Sequence, residues 1–192
     1  MDPKVDLKVT PGTLLAAMPD LMDGNFMHAV VLLCHHAEDG AYGLVVNRAS
    51  GLTTKQVLSD HPQLGRAGFP IFLGGPVDHS TLQFLHALPD EIPGGLPLAG
   101  GLWLGGELAA LARYVAAHPR RARTRIRMFL GYSGWGGGQL ERELAGGSWL
   151  PAPLALDAVF ARDFDLTWRR VVRSTGKATG TLENLPPDVS WN

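Results

Sequence analysis

Cys34 is the residue in this sequence best suited to covalent chemistry. A free thiol with a pKa of about 8.5 is only about 3% thiolate at pH 7, so a reactive cysteine needs a cation or a helix N-terminus beside it. Cys34 closes the run Val30-Val31-Leu32-Leu33 and precedes His35 and His36. On a regular strand His36 projects from the same face as Cys34, while His35 points away. That pairing supports a thiol-based redox role. The plainer reading makes Cys34 a small core residue, since unpaired cysteine is among the most buried side chains. Cys34, His36 and His86 could also gather around a metal. However, the chain has no Cys-x-x-Cys or His-x-x-x-His pair to complete four zinc ligands, so neither metal nor cofactor is expected.

Gly131-Tyr132-Ser133-Gly134-Trp135 has a serine between glycines. It departs from the nucleophile elbow G-x-S-x-G because Trp135 fills the last small position, which argues against a serine hydrolase. Gly134 to Gly138 precede a helix whose free N–H groups could receive an anion. No Lys-Ser or Lys-Thr follows, and the dinucleotide fingerprint is absent. Gln139, Glu141 and Glu143 read as a helix face and its caps, because carboxylates two residues apart on a helix diverge. Arg121, Arg123, Arg125 and Arg127 alternate with Ala122, Thr124, Ile126 and Met128. This period of two predicts a strand with four guanidinium groups along its wet face, a row that could follow phosphates. No aromatics alternate with them to stack bases, and a solvated or acid-paired face is the competing reading. Asn47, Arg48, His86, Tyr132 and Ser133 fall at predicted strand ends, and with the turn Gly74-Gly75-Pro76 they could line one cleft.

The elements that must position these groups are short. Gly12 to Met18 and Ala29 to His35 are apolar runs bounded by Pro11, Pro19 and Asp23-Gly24-Asn25, and read as buried strands. Glu38-Asp39-Gly40 turns the second of them into Tyr42 to Arg48, a hairpin. Thr53 and Gln56 form a capping box for a helix through Ser59, with Leu52 and Val57 toward the core. Pro70 to Leu73 and Thr81 to His86 predict strands, and Leu82, Phe84 and His86 share a face. Glu107 to Ala117 predicts a helix stopped by His118-Pro119, burying Leu108, Leu111, Ala112 and Val115. A short helix at Gln139 to Leu144 is closed by Gly146-Gly147. Trp149 to Pro153 fits an edge strand, because its prolines cannot donate within a sheet. Leu156 to Ala161 and Leu166 to Arg173 read as helical.

The 192 residues suit one domain spanning 1–192, with a poorly packed tail from about 177. A net charge of −1 falls short of the basic balance of a dedicated nucleic-acid binder. The single cysteine and a start lacking a signal-peptide pattern predict a cytoplasmic protein. The best apolar stretch, Leu96 to Ala112, is broken by four glycines and Glu107, so no membrane partner is expected. With 24 Gly and 14 Pro, many tight turns between short elements replace the long helices of a bundle.

These motifs together resemble the bacterial YqgE/AlgH family from about Pro11 to Gly176. The resemblance rests on Gly12-Thr13-Leu14-Leu15-Ala16-Ala17-Met18-Pro19 with Asp23 and Phe26, on Cys34 and His36 before Gly43-Leu44-Val45-Val46-Asn47-Arg48, and on Gly74-Gly75-Pro76-Val77. Leu85-His86, Gly131-Tyr132-Ser133-Gly134-Trp135, Gly138-Gln139-Leu140-Glu141 with Glu143, and Trp149-Leu150 with Pro153 and Phe160 complete it. It implies an α/β fold, a bent and partly barrel-like mixed sheet flanked by short helices. No enzymatic activity is established for that family; members are often labelled transcriptional regulators, but no recognised DNA-binding motif accompanies that label. The arginine-rich segment and Gly136-Gly137-Gly138 depart from the common pattern.

The leading expectation is therefore a non-enzymatic binding or regulatory protein with a small molecule or protein as partner. Its expected cleft is formed by Cys34, His36, Asn47, Arg48, Gly74, Gly75, Pro76, His86, Tyr132, Ser133 and Trp135. A redox protein acting through Cys34 and nucleic-acid binding by the arginines at 121–127 are the alternatives.

Overall fold

The structure is a computed structural model and describes residues 8–19, 21 and 23–176. Ten strands alternate with short helices: β1 (Leu14–Ala17), β2 (Val30–Ala37), β3 (Gly40–Val45), β4 (Ala49–Thr53), α1 (Thr54–Val57), α2 (Leu64–Ala67), β5 (Pro70–Leu73) and β6 (Val77–His86). There follow β7 (Leu96–Pro97), β8 (Trp103–Leu104), α3 (Leu108–Ala117), α4 (Pro119–Ala122), β9 (Ile126–Gly136), α5 (Gln139–Ala145), β10 (Trp149–Ala152), α6 (Leu156–Val159) and α7 (Phe164–Ser174). The tail expected to pack poorly from about 177 lies outside the described residues.

The long strand β9 joins the two halves of the sheet. Its first half lies between β6, antiparallel with Phe84 opposite Met128, and β5, parallel with Ile71 opposite Met128. Its second half pairs with β3, Tyr42 opposite Gly134. The change of partner falls at Gly131, where φ is +70° and a Cβ would come within 2.7 Å of the Gly75 carbonyl oxygen. Glycine satisfies both demands, the left-handed backbone and the close approach. The strand order β10-β1-β2-β3-β9-β6-β8-β7 is antiparallel throughout, and β4 and β5 attach beside β9. The outermost strands β10 and β7 do not pair with each other, so the sheet is open and does not close into a barrel.

Side-chain alternation along these strands sorts the interior into three clusters. Leu14, Val30, Leu32, Leu44, Phe72, Leu85 and Phe129 face a common interior covered by α6 and α7. Leu15, Val31, Leu33, Val45 and Trp135 point the opposite way, onto Leu140 of α5. Ile71, Phe84, Met128 and Leu130 face Leu111 and Val115 of α3. The central cluster takes residues from both halves, so the sheet bends around it. Burying each large apolar side chain contributes about 1.5–3 kcal/mol. In α7, Asp163 caps the start by accepting from the Leu166 N–H at 3.1 Å, and Trp168, Val171 and Val172 are buried. No helix among the described residues is long and apolar enough to cross a membrane.

Three local expectations change. The helix predicted to stop at His118-Pro119 does so, α3 ending at Ala117, but Pro119 then starts a separate helical turn, α4, since proline's fixed φ suits the first helical position. Arg121 therefore lies on α4, Arg123 and Arg125 lie in the following turn, and only Arg127 belongs to a strand. The row of four guanidinium groups on one strand face does not form. The capping box at Thr53 is present, with Gln56 Oε1 accepting from the Thr53 N–H at 2.8 Å, but Leu52 is exposed. Thr54 is buried instead; its hydroxyl donates to the Leu64 carbonyl at 2.6 Å and accepts from the Phe69 N–H at 2.9 Å, tying α1 to α2 and β5. Leu108, expected in the core, is exposed on the first turn of α3.

Candidate ligand site

A β-bulge separates the two residues expected to act together. Between Leu33, opposite Gly43, and His35, opposite Tyr42, β2 advances two residues while β3 advances one. The inserted residue is Cys34, and an extra residue reverses the facing of everything after it. Cys34 joins the central cluster, whereas His36 crosses to α5, where Nε2 lies 2.6 Å from Glu141 Oε1 and Nδ1 lies 3.1 Å from the Val9 carbonyl. Burial pushes the Cys34 thiol up to about 12, and its Sγ donates to the Leu32 carbonyl at 3.6 Å. A thiolate is thus disfavoured at neutral pH, contrary to a redox role.

The other residues of the expected cleft bind the backbone. Asn47 accepts from the Val30 N–H at 2.7 Å and donates to the His28 carbonyl at 2.9 Å. Arg48 holds the turn before β2 by donating to the carbonyls of Asn25 and Met27. Ser133 is fully buried and donates to the Gly74 carbonyl at 3.2 Å. Gly75 lies so close to Tyr132 that a Cβ would come within 2.2 Å of its carbonyl carbon. These four, with Pro76 following in the same turn, are brought together, and the Tyr132 ring lies 5.1 Å from that of Tyr42. His86 stands apart near β8. It is fully buried, with Nε2 3.0 Å from the Gly105 carbonyl and Nδ1 accepting from the Leu88 N–H, and burial holds its pKa below the usual histidine value. Those partners assign the neutral Nε2-protonated ring. Trp135 donates to Glu143 Oε2 at 2.8 Å, and Trp149 donates to the same oxygen at 2.7 Å. Glu143, read from the sequence as a capping group, instead anchors two indoles.

A cavity lies elsewhere, between β4, β5, the start of β9 and the segment joining α6 to α7. Its volume is about 390 Å3, within the range of small-molecule sites, and none of the eleven residues of the expected cleft lines it. Its walls are apolar at Leu52, Phe69, Phe72 and Phe164, with Arg123, Arg127 and Arg162 among them. Arg123 and Arg162 are exposed, while Arg127 is 3% exposed. Residues 127 and 129 share one face of β9, so Arg127 enters the same interior as Phe129.

The Arg127 guanidinium donates through Nη1 to the Val46 carbonyl at 2.5 Å and through Nη2 to the Ala161 carbonyl. Its central carbon lies 4.1 Å from the Phe72 ring centre and 5.6 Å from that of Phe164. These two bonds leave three of its five N–H groups uncommitted. Among the described residues no carboxylate pairs with Arg123, Arg127 or Arg162. Burial lowers the Arg127 pKa to about 9, which still leaves a cation at pH 7. Among the described lining residues there is no cysteine, histidine or acid, and the only hydroxyl, that of Thr53, donates to Gln56.

A family model described as AlgH-like matches residues 14–179. The chain belongs to the AlgH-like family. Relatives bearing the name UPF0301 protein include one from Chlorobium limicola, 35% identical over 93% of this chain and 94% of that one. Another, from Chlorobaculum tepidum, is 35% identical over 92% of each. The solution structure of the AlgH protein from Pseudomonas aeruginosa superposes with a TM-score of 0.71 at 28% identity, covering 98% of this AlgH-like chain and 100% of that one. The crystal structure of protein DIP2367 from Corynebacterium diphtheriae shares the fold, with a TM-score of 0.68 at 23% identity over 86% and 87% of the two chains.

Sequence reasoning named Arg123 and Arg127 for a different purpose and missed Phe69, Phe72, Phe164 and Arg162. A signal was present in Met128-Phe129-Leu130, an unbroken apolar run of the kind found in strands covered on both faces. Such a strand has no wet face for Arg127 to occupy.

Proposed function

We propose that this AlgH-like chain is a non-enzymatic, cytosolic binding protein that takes up a small molecule in the cavity between β5 and the α6–α7 junction, with regulation as its output. The observation that carries this reading is the buried Arg127 guanidinium, protonated, lacking a carboxylate partner among the described residues, and set in an aromatic-walled hollow. Holding an uncompensated charge there costs stability, and a ligand that met it would offset that cost. The side chains around it offer recognition rather than proton transfer or nucleophilic attack, which supports binding over turnover. The unreactive setting of Cys34 and the dispersal of the arginines at 121–127 favour this over thiol chemistry or nucleic-acid contact.

Titration of isotopically labelled protein with phenol, indole and 2-naphthoate tests it by amide chemical shift. Shifts confined to residues 49–53, 69–72, 123–127 and 161–164 are expected. Absence of shifts there with every probe would overturn the proposal, as would catalytic turnover abolished by a substitution in the cavity.

A further inference from the structure

We infer that the occupant of this cavity is an organic anion: a carboxylate or phosphate carried on a flat apolar body, its charge met by Arg127 within and by Arg123 and Arg162 at the mouth. The inference rests on the binding role proposed above and specifies the ligand's chemistry. Three positive groups line one hollow, and no described carboxylate pairs with any of them. Two of them, Arg123 and Arg162, are exposed, and the Arg123 guanidinium carbon lies 5.8 Å from the Phe69 ring centre. The third is fixed by its bonds to the Val46 and Ala161 carbonyls, so its plane is already set before a ligand arrives.

A guanidinium held this way keeps N–H groups that can donate to the oxygens of a carboxylate or phosphate, the anions that its planar geometry suits best. Arg127 itself is only 3% exposed, and a charged hydrogen bond made out of water is stronger than one made in it. Phe69, Phe72 and Phe164 supply the apolar surface. Inorganic anions would meet the charge but leave that surface unfilled, whereas neutral aromatics would fill it and leave the charge unmet. A planar aryl acid satisfies both.

Calorimetric titration with 2-naphthoate, 2-naphthamide and inorganic phosphate separates these terms, because the amide matches the acid in shape and lacks its charge. Naphthoate should bind at least about tenfold more tightly than naphthamide, as loss of a charged hydrogen bond implies. Phosphate alone should bind more weakly than naphthoate. Arg123→Gln and Arg162→Gln lie at exposed positions and leave the core intact; each should weaken naphthoate about two- to fivefold and leave naphthamide unchanged. Arg127→Lys keeps the charge but not the planar geometry, and should cost naphthoate more than either rim substitution. Equal affinity for acid and amide, both in this cavity, would overturn the anionic ligand while sparing the binding role. Phosphate binding as tightly as naphthoate would remove the apolar body from the inference. Failure of both aryl probes to enter the cavity would overturn the binding role itself.

Discussion

Replacing Cys34 by alanine should make the protein less sensitive to alkaline unfolding, by an amount the structure sets. The thiol is buried and held as its neutral form, with a pKa near 12 against 9.0 for the ordinary group. Its folded value is raised, so above pH 9 the unfolded chain releases a proton that the folded chain retains. Stability from this group is therefore whole below pH 9 and declines as pH rises toward 12. Integrating the two titrations from pH 7 to pH 10 gives a loss of about 1 to 2 kcal/mol attributable to Cys34. Urea unfolding followed by tryptophan fluorescence at both pH values should show wild type losing about that much more than Cys34→Ala. The comparison is needed because the Tyr42 phenol, also raised by burial and by proximity to Cys34 and Tyr132, titrates in the alkaline range as well. The same thiol should react with iodoacetamide at pH 8 about a thousandfold more slowly in the folded protein than in urea, from thiolate population alone. Parallel pH dependence of the two proteins, or an alkylation inflection below pH 9 in the native state, would refute a buried neutral thiol and reinstate the redox reading.

Other perturbations test the hydrogen-bonded frame. Glu143→Ala should destabilise by about 2–4 kcal/mol, since it strands two buried indole N–H groups, and Glu143→Gln by less because an acceptor remains; denaturant midpoints at pH 7 decide. Gly75→Ala should cost about 3 kcal/mol or more by the same measurement, because the added carbon collides with the Tyr132 backbone at a φ of +151°. His86→Gln should flatten part of the acid limb of the stability curve. The folded pKa of His86 is depressed, so as pH falls through the ordinary histidine value the unfolded chain gains a proton that the native ring refuses, and stability drops; matched unfolding curves between pH 7 and pH 5 measure the difference.

The elements most legible in the sequence were those whose pattern and punctuation agree. The hairpin of β2 and β3, the capped α1, the edge position of β10 and the helix α5 all follow from local rules of turns, caps and proline placement. The failures share a different cause. Cys34 and His36 were paired by a strict period of two, and one inserted residue defeats that count without leaving a mark in the composition. The arginines alternated as a strand should, yet His118-Pro119 began another helical turn and consumed the first of them. Arg127 was assigned to solvent by the same alternation, although the apolar run after it places the strand inside the sheet.

The cavity was illegible for a more general reason. Residues conspicuous in a motif are polar, and polar residues near strand ends are equally required to satisfy a chain with many turns. Asn47, Arg48, Ser133, His86 and Glu143 direct their hydrogen bonds at other parts of this same chain. A group so engaged must break an internal bond to meet a ligand, and for a buried group that exchange is close to neutral at best. Arg127 differs in capacity rather than in conspicuousness: five donors, two of them committed, and a charge with no described counterion. Recognition therefore favours the side chain with hydrogen-bonding capacity left over. That surplus depends on which carbonyls the fold brings within reach, and Val46 and Ala161 lie 81 and 34 residues away along the chain.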